Sequence, residues 1–73
     1  MRKRVSITSE YITLGQFLKI ADIISSGGEQ KVYLASHKVI VNDVDENRRG
    51  KKLRDGDVIE IDSQQYQICM LNK

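Results

Sequence analysis

Val5 and Ile7 alternate with polar neighbours, a period of two that predicts a short opening strand, and Tyr11-Ile12 leads from it into a helix. Thr13 is the cap candidate. The run Thr13-Leu14-Gly15-Gln16 has the spacing of a capping box, while Ile12 and Phe17 have the spacing of a hydrophobic staple, so two local signals start a helix at one point. Leu14, Phe17, Leu18 and Ala21 then recur at i, i+3, i+4 and i+7, the stripe of a helix with one buried face.

A second helix opens at Ser26-Gly27-Gly28-Glu29, again a cap residue with an acid three positions later. Two glycines in a first turn disfavour the helix, by about 1 kcal/mol each at an interior position and less at an end. Either they allow a tight approach from the preceding loop, or their missing side chains let a phosphate reach the unpaired N–H groups of the helix start. Tyr33 and Leu34 form the inward face, Lys31 and Lys38 lie on other faces, and the helix stops near Ser36-His37. Val39-Ile40-Val41 is a β-branched strand ending in an Asn42-Asp43 turn. Lys51 to Asp55 leads to a turn at Asp55-Gly56, with Asp57 expected to bond backbone amides beside it. Val58, Ile59 and Ile61 make a strand, Tyr66, Ile68 and Met70 a last one, and Ser63-Gln64-Gln65 is the expected hairpin connection.

A chain of 73 residues, 40% hydrophobic and 30% charged, is expected to fold as one domain (1–73) with a small core. The lone cysteine, Cys69, has no partner for an internal disulfide, and with His37 as the one histidine there is no zinc constellation. No nucleophile and acid are arranged with His37 as a catalytic set, so it reads as a helix cap or a phosphate contact; neither an enzyme nor a cofactor is expected. Met1-Arg2-Lys3-Arg4 is basic like a signal-peptide start, but Ser6, Thr8, Ser9 and Glu10 follow where an apolar segment is required, and no apolar run has membrane-spanning length. The expectation is a soluble cytoplasmic protein, with Arg2-Lys3-Arg4 a solvated, flexible terminus.

Charge is distributed unevenly. Residues 31–54 carry seven Lys and Arg against three acids, hence +4, whereas residues 55–73 carry four acids and one Lys, hence −3. Within the basic part, Arg48-Arg49-Gly50-Lys51-Lys52 puts four cations into one loop. A cluster that dense repels itself unless an anion is near, and a nucleic-acid backbone is the anion it fits.

In order and spacing these pieces resemble the S4 domain, a small RNA-binding fold found in ribosomal proteins, tyrosyl-tRNA synthetases and pseudouridine synthases. The likeness spans the core motif 12–61: the Leu14 to Leu18 helix, Ser26, Glu29 and Lys31 in the second helix, Val39, Val41, Asn42 and Asp43 in the strand and turn, and Gly56-Asp57. It is most detailed to small stand-alone bacterial S4-like proteins of the YaaA type, through the run Ile12 to Lys19, Ser26-Gly27-Gly28, and the loop Asn47 to Leu53. Three positions depart from the family pattern. Asp43 and His37 stand at usual glycines and are expected to adopt left-handed backbone, and Gln30 replaces a small apolar residue on the inward face.

The resemblance implies an α+β, S4-like (αL) fold, two helices on a small, mainly antiparallel sheet, with the second helix and the 48–52 loop on one face. It implies a monomer that binds structured RNA, ribosomal RNA or tRNA, on a ribosome or pre-ribosomal particle, with no membrane partner. The residues it assigns to RNA are Gly27, Gly28, Lys31, Lys38, Asn42, Arg48, Arg49, Lys51 and Lys52. The alternative is a protein-interaction module docking through its acidic C-terminal hairpin or a sheet edge.

Overall fold

The computed structural model describes residues Arg2 to Leu71; Met1, at the head of the basic terminus, and Lys73, counted in the acidic part, lie outside them. The elements are β1 (Arg2–Ile7), β2 (Tyr11–Thr13), α1 (Leu14–Ile20), a 3-10 turn (Gly27–Glu29), α2 (Gln30–Ser36), β3 (Val39–Val41), β4 (Val44–Asp45), β5 (Lys52–Arg54), β6 (Val58–Ile61) and β7 (Gln64–Met70). They form a five-stranded sheet in the order β1-β7-β6-β3-β4 and a two-stranded sheet of β2 and β5. Only β1 with β7 is parallel among the described pairs, so the α+β, mainly antiparallel architecture holds.

Helix α1 starts where the local signals put it. Gln16 N–H donates to Thr13 Oγ1 at 3.2 Å, and Thr13 N–H donates to Gln16 Oε1 at 2.9 Å. At the other end Asp22 takes φ 62°, Ile23 N–H donates to the Leu18 carbonyl at 2.9 Å and Asp22 N–H to that of Lys19 at 3.0 Å. This is a Schellman closure with Asp in place of glycine. Leu14, Phe17 and Leu18 are fully buried, and the Phe17 ring meets Tyr66 of β7 edge-on at 5.2 Å, which fixes Tyr66 as a packing residue. The buried hydrophobics of both sheets and both helices form one cluster.

Several expectations change. Tyr11 to Thr13 is a strand rather than a lead into α1, and Lys52 to Arg54, expected as a connection, is its antiparallel partner. Arg2-Lys3-Arg4 is not a loose terminus: its backbone pairs with Gln65 to Gln67, while the side chains remain exposed. The β6–β7 connection is Asp62-Ser63, both at positive φ (50° and 69°), and Gln64-Gln65 already belong to β7. Asn42-Asp43 makes the same two-residue turn at 50° and 69°, the backbone whose twist suits a tight hairpin. His37 is extended (φ −127°, ψ 143°), because the chain passes directly into β3 instead of closing the helix left-handedly.

At the second helix Ser26 does not cap through its side chain; the Ser25 and Ser26 hydroxyls instead donate to Glu29 Oε2 at 2.9 and 3.3 Å. Gln30 has a packing role. Its side-chain amide lies where a Cβ on Gly15 would be, so a residue without a side chain in α1 is what admits the polar one from α2.

Candidate nucleic-acid interface

The basic loop is anchored from both sides. Glu46 N–H donates to the Val39 carbonyl at 2.9 Å, fixing the loop's start against β3. At its middle and far end the first-turn N–H groups of α1 donate into it, Gly15 to the Arg49 carbonyl at 2.9 Å and Leu14 to the Lys51 carbonyl at 2.8 Å. Helix starts leave such donors without helical partners, and here the loop supplies acceptors for two of them. Between these anchors Lys51 N–H donates to the Arg48 carbonyl at 3.1 Å and closes a tight turn.

Glu46 organises the loop further. Its carboxylate accepts from Arg48 Nε at 2.9 Å and Nη2 at 3.2 Å, a two-pronged ion pair, and from Arg48 N–H at 3.1 Å. The Glu46 side chain is 10% exposed and that of Arg48 75%, so the acid sits inside and the guanidinium outside. The Arg48 side-chain hydrogen bonds hold the Glu46 carboxyl below its ordinary pKa and raise that of Arg48. Lys38 makes a looser pair with Asp45 at 3.9 Å, both side chains exposed.

The cations named from the sequence are therefore not equivalent. Arg48 and Lys38 face carboxylates, whereas no carboxylate lies within ion-pair distance of Lys31, Arg49, Lys51 or Lys52 among the described residues. Lys31 of α2 and Arg49 of the loop line one groove together with Leu34, Ala35 and Asn47. Arg48, Gly50, Lys51 and Lys52 line another. The second helix and the loop thus share a face.

The other named positions lie apart from that groove or serve the fold. Asn42 spends its amide internally: Nδ2 donates to Asp57 Oδ1 at 3.1 Å and Oδ1 accepts from Val58 N–H at 3.0 Å. Asp57 also accepts from Arg54 N–H at 2.8 Å, the amide-bonding role expected of it. Gly27 and Gly28 need no glycine on steric or backbone grounds, since φ is not positive at either and a Cβ would meet nothing closer than 4.0 Å. The Glu29 carboxylate shares their turn. His37 stacks flat on Tyr33 at 3.9 Å with Nδ1 3.2 Å from the Tyr33 carbonyl oxygen, which makes it a cap and occupies a face of the Tyr33 ring.

Glu46, which holds Arg48, was not singled out from the sequence, and neither was the pairing that sets Tyr11 of β2 opposite Arg54 of β5. Glu46 could have been found from its spacing to Arg48. Tyr11 and Arg54 depend on the pairing of two three-residue strands, a signal too short to register as periodicity.

With this geometry, the comparison with known proteins is decisive for the family. The S4 domain family model matches residues 5–69. This chain belongs to the S4 domain family. The S4 domain is 58% identical over 62 residues, 85% of this chain and 87% of the other, to a protein of Bacillus subtilis (strain 168) named as a probable ribosome maturation protein, RlbA. No solved structure matches it. Among the described residues of this S4 domain no group of three or more His, Cys, Asp or Glu side chains gathers as for a metal, and no helix is long and apolar enough to cross a membrane.

Proposed function

We propose that this S4 domain binds structured RNA without catalysis, and that the RNA is ribosomal RNA met during ribosome maturation. The observation that carries the reading is the meeting of Lys31 and Arg49 across one groove, with Lys51 and Lys52 following Arg49 in the same loop and none of the four in a close ion pair among the described residues. Cations held in no close ion pair, on a face anchored by backbone hydrogen bonds, release counterions when they meet phosphates, which drives association. Arg49 offers a planar fork for bidentate contact, and the lysines act as point charges. Arg48, held by Glu46, presents its outer edge in a fixed orientation, and Lys38 can exchange a weak exposed pair for a phosphate. Gly27 and Gly28 leave the start of α2 open to close approach.

A duplex RNA major groove is too narrow for side chains to read, so the spacing of phosphates and the shape of the helix govern recognition. The relative's name as a probable ribosome maturation protein supports ribosomal RNA over tRNA. A role on ribosomal particles implies a cytoplasmic protein, and we propose that it acts there as a monomer. The test is crosslinking in cells followed by sequencing of the bound RNA, with gradient sedimentation alongside. Enrichment of one ribosomal RNA region and co-migration with a pre-ribosomal particle are expected; enrichment of tRNA, or migration with free protein alone, would overturn the ribosomal assignment.

A further inference from the structure

The β2–β5 ribbon carries a second element of recognition. Its register pairs Tyr11 with Arg54, Ile12 with Leu53 and Thr13 with Lys52. Ile12 and Leu53 are buried, so the alternation of strand side chains puts Tyr11, Arg54 and Lys52 together on the outward side. Tyr11 is 37% exposed, with Lys52 Nζ 5.0 Å and Arg54 Cζ 5.3 Å from its ring centroid. An exposed ring with two cations, neither paired with a carboxylate among the described residues, offers a flat π surface and two phosphate partners within one side chain's reach.

We propose that Tyr11, Lys52 and Arg54 form a seat for one unpaired base of the bound RNA; this rests on the RNA-binding reading above. The base stacks on the Tyr11 ring while the two long cationic side chains leave the ring for the phosphates on either side of it. Lys52 belongs both to this seat and to the basic loop, so the seated base adjoins the helix whose phosphates the loop grips. Inside a duplex every base is already stacked. The seat therefore selects RNA in which a loop, bulge or end lies beside a helical stem.

The test compares two RNAs at low salt, a hairpin with 2-aminopurine in its unpaired loop and the same stem as a blunt duplex. Tyr11→Ala should lower hairpin affinity about tenfold or more, the effect of losing one stacked base, and should leave duplex affinity unchanged. Tyr11→Phe should retain hairpin affinity and the quenching of 2-aminopurine fluorescence that reports stacking. Tyr11→Leu, which keeps side-chain bulk in the strand, replaces the alanine variant if that one does not fold. Equal losses on both RNAs, or hairpin affinity unchanged in the alanine or leucine variant, would overturn the seat and leave the phosphate-binding reading standing. Wild-type protein that binds neither RNA would overturn both.

Discussion

The backbone N–H of Gly15 donates to the carbonyl oxygen of Arg49 at 2.9 Å, so the first turn of α1 holds the middle of the basic loop. Helix and loop gain together. The helix start obtains an acceptor that solvent would otherwise supply, and the loop inherits the rigidity of an element whose Leu14, Phe17 and Leu18 are fully buried. A loop backbone fixed in this way loses little further freedom on binding, so the ordering cost is confined to the cationic side chains.

Lys31→Ala with Arg49→Ala should weaken RNA binding and leave folding nearly intact. Exposed cations contribute roughly 0–1 kcal/mol to stability, whereas each charge-assisted hydrogen bond to a phosphate contributes about 1.5–3 kcal/mol. Paired filter-binding and thermal-unfolding measurements check this. A double variant that keeps full affinity would remove the α2–loop groove from the interface.

Phe17→Ala should act on stability first. The side chain is fully buried against Tyr66, and such truncations cost about 3–5 kcal/mol, a large part of the roughly 5–15 kcal/mol available to a domain. Urea unfolding measures it. A change below about 1 kcal/mol would mean that the α1–β7 contact is not part of the core.

The start of α1 was legible because two independent signals, Thr13 with Gln16 and Ile12 with Phe17, converge on one residue, and both depend only on neighbours in sequence. Strands β2, β4 and β5 were not, since two or three residues cannot display a period; β3, equally short, was legible from its unbroken β-branched run, whereas β2 and β5 are defined by pairing with each other across the sequence and β4 by two residues closing a hairpin on β3. Ser63 at positive φ was hidden for another reason: serine seldom adopts that backbone, and polar Gln64 and Gln65 looked like turn residues although they pair with Ile61 and Glu60. At the site, counting charges located the basic loop but did not tell which cations are neutralised. That depended on Glu46 turning its carboxylate onto Arg48 while leaving Arg49 unpaired.

Acid should expose the part played by Glu46. Arg48 depresses its folded pKa, so the pair stabilises the fold fully above the unfolded carboxylate value near about 4, and that contribution disappears as pH falls through the lower folded value. Glu46→Gln should therefore be less stable than wild type at neutral pH, with the gap closing in acid. Thermal unfolding on both sides of the carboxylate range measures the gap, and an equal gap in both conditions would contradict the assignment.

Gly28→Ala should hold or raise stability, by up to about 0.4–1 kcal/mol, because the backbone there accepts a side chain and alanine restricts the unfolded chain. In the double variant Gly27→Ala, Gly28→Ala, RNA affinity should fall severalfold with folding retained, as the added methyl groups hold the RNA away from the start of α2. Unchanged affinity would take these glycines out of the interface and leave the basic loop as its centre.

The salt dependence of RNA binding tests the electrostatic claim most directly. If Lys31, Arg49, Lys51 and Lys52 each neutralise a phosphate, a slope of roughly −0.7 to −0.9 per contact predicts about a hundredfold loss of affinity for a structured RNA between about 50 and 200 mM salt. A dissociation constant that stays flat across that range would contradict the account.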